Sequence, residues 1–248
     1  MKKIGIVGGV GWQSTVHYYS ELCRRSEQWH RITPGATPST PEISIESLDL
    51  AKAVSYLGSD EDDKSWAQFD NYHHAALKRL AASGADFAVM ASNTPHHRFE
   101  AIVRGIPIPV ISMLDAVAKE SARMGARQVL LLGTALTMRS SKFREEFAKY
   151  GVEAAGPHDQ AVRAMTVELI TDLQLGKVAG GAERLERIAS ISFRPEFRDQ
   201  PVVCLACTEL HLAFEKMKTL ASFECGGFLF ISPSVVHINA ALNFAVDQ

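Results

Sequence analysis

The chain has 248 residues, 46% of them hydrophobic, and a formal net charge of −2 at pH 7. This length and composition suffice for one large or two small domains with a buried core. The near-neutral charge argues against nucleic acid as a partner, and no apolar run approaches the ~20 residues that a membrane-spanning helix needs.

The N-terminus and the cysteines together predict a reducing environment. The first apolar run meets Gly8-Gly9 too early to be the core of an export signal, so no signal peptide is predicted. The four cysteines, at positions 23, 204, 207 and 225, are too few for a disulfide framework. We therefore expect a cytoplasmic protein.

In the first half of the chain, strand-like runs alternate with amphipathic stretches, which is typical of βαβ units and parallel sheets. The acidic run at 60–63 is expected to be a solvated helix start rather than a metal site. Pro107 and Pro109 suggest that the last strand of this half lies at a sheet edge or at a crossing point. The predicted elements are strand 3–8, helix 14–29, strand 42–48, a long helix ending at Leu80, strand 86–91, a helix from Pro95 and strand 106–111.

The second half repeats this plan. Its predicted elements are helix 113–124, strand 128–132, helix 141–149, a strand near Val152, helices 160–175 and 180–192, strand 201–206, helix 208–220, strand 228–231 and helix 233–246. The tail from residue 222 has no counterpart in the first half, so we expect it to pack on that half. The prediction is an α/β protein with two pseudo-symmetric, Rossmann-like parallel-sheet domains, 1–112 plus 222–248 and 113–221, and an active site in the cleft between them.

Two polar segments follow corresponding strands, Ser92-Asn93-Thr94 in the first half and Cys207-Thr208-Glu209 in the second. Ligands of open α/β sheets bind beyond the carboxyl ends of the strands, so the chemistry is expected at these segments. A helix starting after Cys207 would lower the pKa of its thiol, which makes Cys207 the best candidate for a nucleophile or base. Cys204 should point to the opposite face of the strand, as a small buried residue.

Other strand ends leave two interpretations open. Gly8-Gly9-Val10-Gly11 lacks the dinucleotide pattern, and it suits either a small anion at a helix start or a tight turn capped by Ser14. The hydroxyls of Thr134 and Thr137 suit either a carboxylate or a helix cap, although Ser140 already fits as the cap of helix 141–149.

The histidines do not indicate a metal site. There is no HExxH pattern, and neighbouring histidines on one helix do not share a face. His96, one turn into the helix after Thr94, could hydrogen-bond the loop, but the favoured interpretation is a satisfied histidine at the boundary between the two domains.

Four motifs in order resemble the aspartate/glutamate racemase superfamily. They are Ile4-Gly-Ile-Val-Gly-Gly-x-Gly-x-x-Ser-Thr15, Ser92-Asn-Thr-x-His96, Leu132-Gly-Thr-x-x-Thr-Met138 and Ala206-Cys-Thr-Glu209. The resemblance is closest to the amino-acid racemase branch with a Gly-Trp-x-Ser-Thr start. It implies two α/β domains, racemisation without pyridoxal phosphate, metal or other cofactor, and usually a homodimer.

The resemblance also implies roles for individual residues. In the family, two cysteines on opposite faces of the substrate α-carbon remove and return its proton, and Cys207 matches the second of them. Glu209 would support or orient Cys207. The residues that would bind the carboxylate and ammonium groups of the substrate are Asn93, Thr94, Thr134, Thr137 and Thr208.

The chain departs from the family at Ser92, where the usual motif has a cysteine. A thiol with a pKa near ~8.5 can be tuned to a thiolate, whereas an unassisted serine hydroxyl is a poor base. We therefore expect Cys207 to be the competent base and Ser92 to return a proton at the other face, with one enantiomer favoured.

Two other functions remain open at this point. One cysteine opposite a hydroxyl also suits a decarboxylase of the arylmalonate type, and Ser92 is also compatible with a non-catalytic binder of a small carboxylate. The residue that binds a substrate side-chain carboxylate is not identified. The candidates, each of which also suits a plain surface charge, are Arg98, Arg139, Arg163 and Lys177.

Overall fold

Two sheets organise the chain in the computed structural model, which describes residues 1–32, 39–59, 62–193 and 201–246, and the four strands of the first have the same order as the first four of the second. Each sheet belongs to its own unit. The first unit contains Met1–Ser112 and His237–Gln248, and the second contains Met113–Val236.

The first unit is built on a four-stranded, all-parallel sheet in the order β2-β1-β3-β4. Its strands are β1 (Ile4–Gly8), β2 (Ile43–Ser47), β3 (Phe87–Met90) and β4 (Val110–Ile111). Its helices are α1 (Trp12–Ile32), α2 (Leu50–Ser55), α3 (Ala67–Ala82) and α4 (Phe99–Val103), with 3₁₀ helices at Asp63–Trp66 and Thr94–Arg98. β1 and β3 are buried along their whole length, because helices cover both faces of a parallel sheet.

The second unit has a five-stranded sheet in the order β6-β5-β7-β9-β8, in which only the β8–β9 pair is antiparallel. Its strands are β5 (Gln128–Gly133), β6 (Glu153–Ala155), β7 (Val202–Ala206), β8 (Ser222–Cys225) and β9 (Phe228–Ile231). Its helices are α5 (Met113–Arg123), α6 (Ala135–Arg139), α7 (Ser141–Ala148), α8 (Gln160–Gln174) and α9 (Gly181–Ser192), and Thr208–Met217 is 3₁₀. The last helix, α10 (Pro233–Val246), begins in this unit and ends in the first.

Alternate residues of β7 point to opposite sides of the sheet, as in any strand. Val203, Leu205 and Cys207 join one hydrophobic cluster with residues of α8 and α9. Cys204 is fully buried but lies outside that cluster. The two cysteines of the Cys-x-x-Cys segment therefore diverge, as the strand period predicts.

The predicted boundary at residue 222 is wrong. β9 pairs with β7 in the second sheet, so residues 222–236 belong to the second unit. β9 is the counterpart of β4, because each of them pairs with the third strand of its own sheet. The expectation that the tail packs on the first unit holds only for the part from His237 onward.

Other elements also differ from the prediction. The strand expected at 106–111 is reduced to β4, because Pro107 and Pro109 have no N–H group for the ladder; β4 does lie at a sheet edge. The segment after Cys207 is 3₁₀ rather than α-helical, and it is interrupted at Phe214 (φ −125°, ψ 58°). Residues 60 and 61 of the acidic run lie outside the described residues.

No helix in the described part of the chain combines the length and hydrophobicity that crossing a bilayer requires.

Candidate active site

The first group of predicted site residues follows β3. The Ala91 N–H donates to the Val7 carbonyl at 2.9 Å, so pairing with β1 continues to the residue before Ser92. Ser92 is half-buried, and Asn93 is buried at 6% exposure. The Asn93 Oδ1 has no hydrogen-bond partner in the described structure. A buried acceptor without a donor is uncommon, and it suits a ligand that brings an N–H group.

His96 holds the turn that contains Ser92. Its Nε2 lies 3.3 Å from the Met90 carbonyl, and its backbone N–H donates to the Asn93 carbonyl at 3.0 Å. The ring stacks on Phe99 with 5.6 Å between ring centroids. The ring is fully buried and its Nε2 contacts a carbonyl of β3, which fits the interpretation of a satisfied buried histidine, whereas the contact with the loop is made by the backbone N–H.

A second buried histidine, which the sequence did not single out, supports His96. The Nε2 of His237 lies 2.9 Å from the Ile111 carbonyl, and its Nδ1 lies 2.8 Å from the Tyr18 hydroxyl. Since a carbonyl only accepts, Nε2 carries the hydrogen, and Tyr18 donates to Nδ1. The His237 ring contacts His96 edge-on, with centroids 5.5 Å apart. The only local signal for this residue is a histidine within an otherwise apolar helix.

Burial keeps these histidines neutral. It lowers the pKa of His96 to about 3, with the neighbouring His237 contributing in the same direction, and it lowers the pKa of His237 to about 4. His73, which is also fully buried, has its pKa lowered for the same reason.

We expect acid to destabilise the protein through these three residues. Between the folded-state pKa and the unfolded value of ~6.5, the unfolded chain binds more protons, so stability falls as pH decreases below 6.5. Each histidine contributes a loss of about 1.4 kcal/mol per pH unit in that range. Urea unfolding between pH 7 and pH 5 measures the slope. The His96→Gln variant should have a shallower slope, and an unchanged slope would contradict this explanation.

The glycine loop after β1 is a tight turn. Gly9 has φ +86°, a conformation that favours glycine, and its N–H donates to the Thr15 Oγ1 at 2.8 Å. α1 begins at Trp12, so Ser14 lies inside the helix and is not its cap. The predicted Ser14 cap is therefore wrong. The interpretation as a tight turn is favoured over an anion site, because the Gly9 N–H already donates to the Thr15 hydroxyl.

The second group of site residues lies at the carboxyl edge of the second sheet. Gly133 of β5 pairs with Ala206 of β7, so Thr134 and Cys207 follow neighbouring strands at the same level. The Thr134 Oγ1 accepts from the Thr137 N–H at 3.3 Å and caps α6. The two threonine hydroxyls are 3.1 Å apart. Ser140 does lie at the N-cap position of α7, as predicted, but its side chain makes no capping hydrogen bond.

The Cys207 thiol donates to a carboxylate. Its Sγ lies 2.9 Å from the Glu209 Oε2, and the Thr208 hydroxyl donates to the same oxygen at 3.2 Å. Burial raises the pKa of Cys207 well above its ordinary value, and the charge of Glu209 raises it further. Cys207 is therefore a protonated thiol next to a group that can accept its hydrogen.

The lowered thiol pKa expected from a helix N-terminus is wrong. The following segment is a short, interrupted 3₁₀ helix, so its helix dipole is small and stabilises a thiolate only weakly. Backbone N–H groups of Thr208 and Glu209 do act to lower the pKa of Cys207, but burial and the carboxylate outweigh them.

We expect the Glu209→Gln variant to lower the pH at which the Cys207 thiolate forms, by roughly one unit or more, because the nearby negative charge is removed. The titration of Cys207 is followed by the ultraviolet absorbance of its thiolate, after subtraction of the absorbance of the same protein carrying Cys207→Ser. Glu186→Gln is a matched control, because Glu186 accepts from the Cys225 thiol at 3.1 Å in the same unit. An unchanged Cys207 titration in Glu209→Gln would contradict the assignment of the carboxylate.

The four basic candidates for a substrate side-chain carboxylate all have partners within the protein. Arg98 binds Asp70 at 2.9 Å and Asp63 at 2.5 Å. Arg163 and Arg139 donate to backbone carbonyls, and Lys177 binds Asp172. Among the described residues, no group of three or more histidine, cysteine or acidic side chains is arranged to hold a metal ion.

The structure therefore brings the predicted site residues together as two groups, one in each unit. Ser92, Asn93 and Thr94 form the first group. The second group consists of Thr134, Thr137, Cys207, Thr208 and Glu209.

Comparison with known proteins identifies the family and the fold. An aspartate racemase homologue from Pyrococcus horikoshii is 26% identical, with a TM-score of 0.76 and all of both chains covered. A putative Asp/Glu racemase from Yersinia pestis (23% identity, TM-score 0.79, 100% of both chains) shares the fold. So does a glutamate racemase from Campylobacter jejuni (15%, 0.63, 99% of this chain and 87% of that one). The model of the Asp/Glu/hydantoin racemase family matches residues 7–241. With nearly its whole length matched, this chain belongs to the Asp/Glu/hydantoin racemase family and is a racemase, an isomerase by class.

Proposed function

We propose that the protein racemises an acidic amino acid without a cofactor, with Cys207 and Ser92 exchanging protons at opposite faces of the substrate α-carbon. The observation that carries this proposal is the 2.9 Å hydrogen bond from the Cys207 thiol to Glu209. A buried thiol that already shares its hydrogen with a carboxylate is an acid–base group, because proton transfer to Glu209 leaves a thiolate.

For the enantiomer whose α-hydrogen faces Cys207, the steps balance as follows. The thiol proton passes to Glu209, and the thiolate removes the α-proton to leave a carbanion. The Ser92 hydroxyl then protonates the opposite face and regains a proton from solvent, while Glu209 releases to solvent the proton that it took from Cys207, which restores the resting state. The reverse direction starts with Ser92 as the base, which is the weaker arrangement.

The weaker base produces a bias that kinetics can measure. Because the equilibrium constant between enantiomers is one, kcat/KM must be the same in both directions. The bias therefore appears in the separate values of kcat and KM, and in exchange of the α-hydrogen without inversion. The enantiomer that faces Cys207 should exchange with solvent faster than it inverts.

The remaining polar residues bind the two charged groups of the substrate backbone in this proposal. The buried Asn93 Oδ1, an acceptor without a donor, suits the ammonium group. The hydroxyls of Thr94, Thr134 and Thr208 suit the carboxylate, and Thr137 holds the Thr134 hydroxyl.

The test uses each enantiomer of aspartate and glutamate in deuterated water, with a metal chelator and without pyridoxal phosphate. Mass spectrometry reports α-deuterium, and chiral chromatography reports inversion. We expect deuterium incorporation with at least one of the four substrates. Exchange with none of them would reject the acidic substrate; parallel assays of hydantoins and of carbon dioxide release from an arylmalonate identify the alternative.

We also propose a homodimer and a cytoplasmic location. Support for the dimer comes from three exposed apolar side chains at helical spacing on one face of α1, namely Trp12, Val16 and Tyr19. The four cysteines are all free thiols, as expected in a reducing compartment. Sedimentation measures the first proposal, and cell fractionation measures the second.

A further inference from the structure

The turn that carries Ser92 depends on one side chain at its far end. The His96 ring Nε2 lies 3.3 Å from the Met90 carbonyl, before Ser92, and the His96 backbone N–H donates to the Asn93 carbonyl, after it. Rotation of the His96 ring would break its contact with the Met90 carbonyl, two residues before Ser92. What fixes the His96 ring therefore helps to hold the backbone next to Ser92.

His237 is placed to fix that ring. It contacts His96 edge-on with ring planes at 84°, and it is fully buried. Its own orientation is set at both nitrogens, by the Ile111 carbonyl on one side and the Tyr18 hydroxyl on the other. A ring held by two hydrogen bonds of opposite direction has one tautomer and one orientation.

These anchors come from distant parts of the chain. Tyr18 lies in α1, Ile111 ends β4, and His237 belongs to the segment of α10 that returns to the first unit. The returning segment thus contacts the Ser92 turn through the ring of His96.

We propose that His237 is a positioning residue for Ser92, acting through His96. This inference rests on the proposed function, in which Ser92 protonates one face of the α-carbon. Loss of the His237 hydrogen bonds should displace the Ser92 turn and leave Cys207 unaffected. Inversion, which needs both faces, should then fall more than exchange with retention, which needs Cys207 alone.

The experiment compares inversion and α-deuterium exchange in the same reaction for His237→Leu, His237→Gln and wild type. In His237→Leu, the ratio of inversion to exchange should fall by about tenfold or more, because small misplacements at a reacting centre cost that much. His237→Gln should restore most of the ratio, because its amide nitrogen can donate to the Ile111 carbonyl. The matched control is His74→Gln, since His74 also bonds a carbonyl, Ile102 at 2.8 Å.

A second measurement is independent of activity. Backbone hydrogen exchange in a peptide covering residues 91–99 should accelerate in His237→Leu, and it should stay near the wild-type rate in His237→Gln and His74→Gln. If His237→Leu does not fold, Tyr18→Phe removes one of the two anchors and should shift both readouts in the same direction.

These outcomes distinguish the positioning role of His237 from the proposed racemase function. Faster backbone exchange at 91–99 in a protein that never exchanges an α-hydrogen would support positioning and reject the racemase mechanism. An unchanged inversion-to-exchange ratio, or an unchanged backbone exchange rate at 91–99, in folded His237→Leu would overturn the inference.

Discussion

Cys207→Ala is expected to reduce α-hydrogen exchange by at least about 10³-fold with every substrate, since the variant loses the proton-transfer group on one face and the thiolate base with it. The rate of inversion should fall by the same factor, because inversion requires an acid–base group on each face of the α-carbon. Mass spectrometry of α-deuterium and chiral chromatography give the two rates. The thiol is small, so the variant should lose only about 1–2 kcal/mol of stability and remain folded.

Cys204→Ala is the matched control for this substitution. Cys204 lies three residues earlier in the same strand, is fully buried and points to the other side of the sheet. It should lose a similar amount of stability in urea unfolding and keep its exchange activity. Exchange that survives in Cys207→Ala, or disappears in Cys204→Ala at unchanged fold, would remove Cys207 from the mechanism.

The Ser92→Cys variant is expected to keep or increase exchange and to make the two enantiomers behave alike. A thiol at this position can form a thiolate near neutral pH, whereas the serine hydroxyl cannot. Both faces then have a competent base, so the rates of exchange with retention should converge for the two enantiomers. Deuterium incorporation into each enantiomer, measured before significant inversion, gives the comparison.

Two further variants sharpen this test. Ser92→Ala should lose inversion and keep exchange at the Cys207 face. Ser47→Cys places the same new thiol at the last residue of another strand of the same sheet, β2, and should leave both rates unchanged. Equal exchange of the two enantiomers in the wild-type protein would contradict the proposed role of Ser92.

The sequence allowed the sheets and the polar strand ends to be predicted, because both follow from local pattern. Apolar runs of strand length predicted β1, β3, β5 and β7. Ser92 and Cys207 were predicted as site residues because each directly follows one of these strands. The duplication was visible for the same reason. The choice of partner for β9 is not local, since it depends on which sheet edge is free after folding. For that reason the boundary at 222 was misplaced.

The electrostatic state of Cys207 also depends on tertiary structure. The sequence indicates that a helical segment follows, but not that it is 3₁₀ or that the thiol is 7% exposed and bonded to Glu209. The role of His237 depends on contacts with Ile111 and Tyr18, which are 126 and 219 residues away in the chain. No window of sequence contains these partners together.

The divergence of Cys204 and Cys207 has a consequence for oxidative damage. Side chains that point to opposite faces of a strand cannot form a disulfide, so a sulfenic acid at Cys207 would have no resolving thiol at Cys204. Peroxide reacts with thiolates, and the resting thiol is kept protonated, so the first oxidation should be slow. We therefore expect Cys207 to be protected by its low reactivity, and a sulfenic acid formed there to require a reductant other than Cys204.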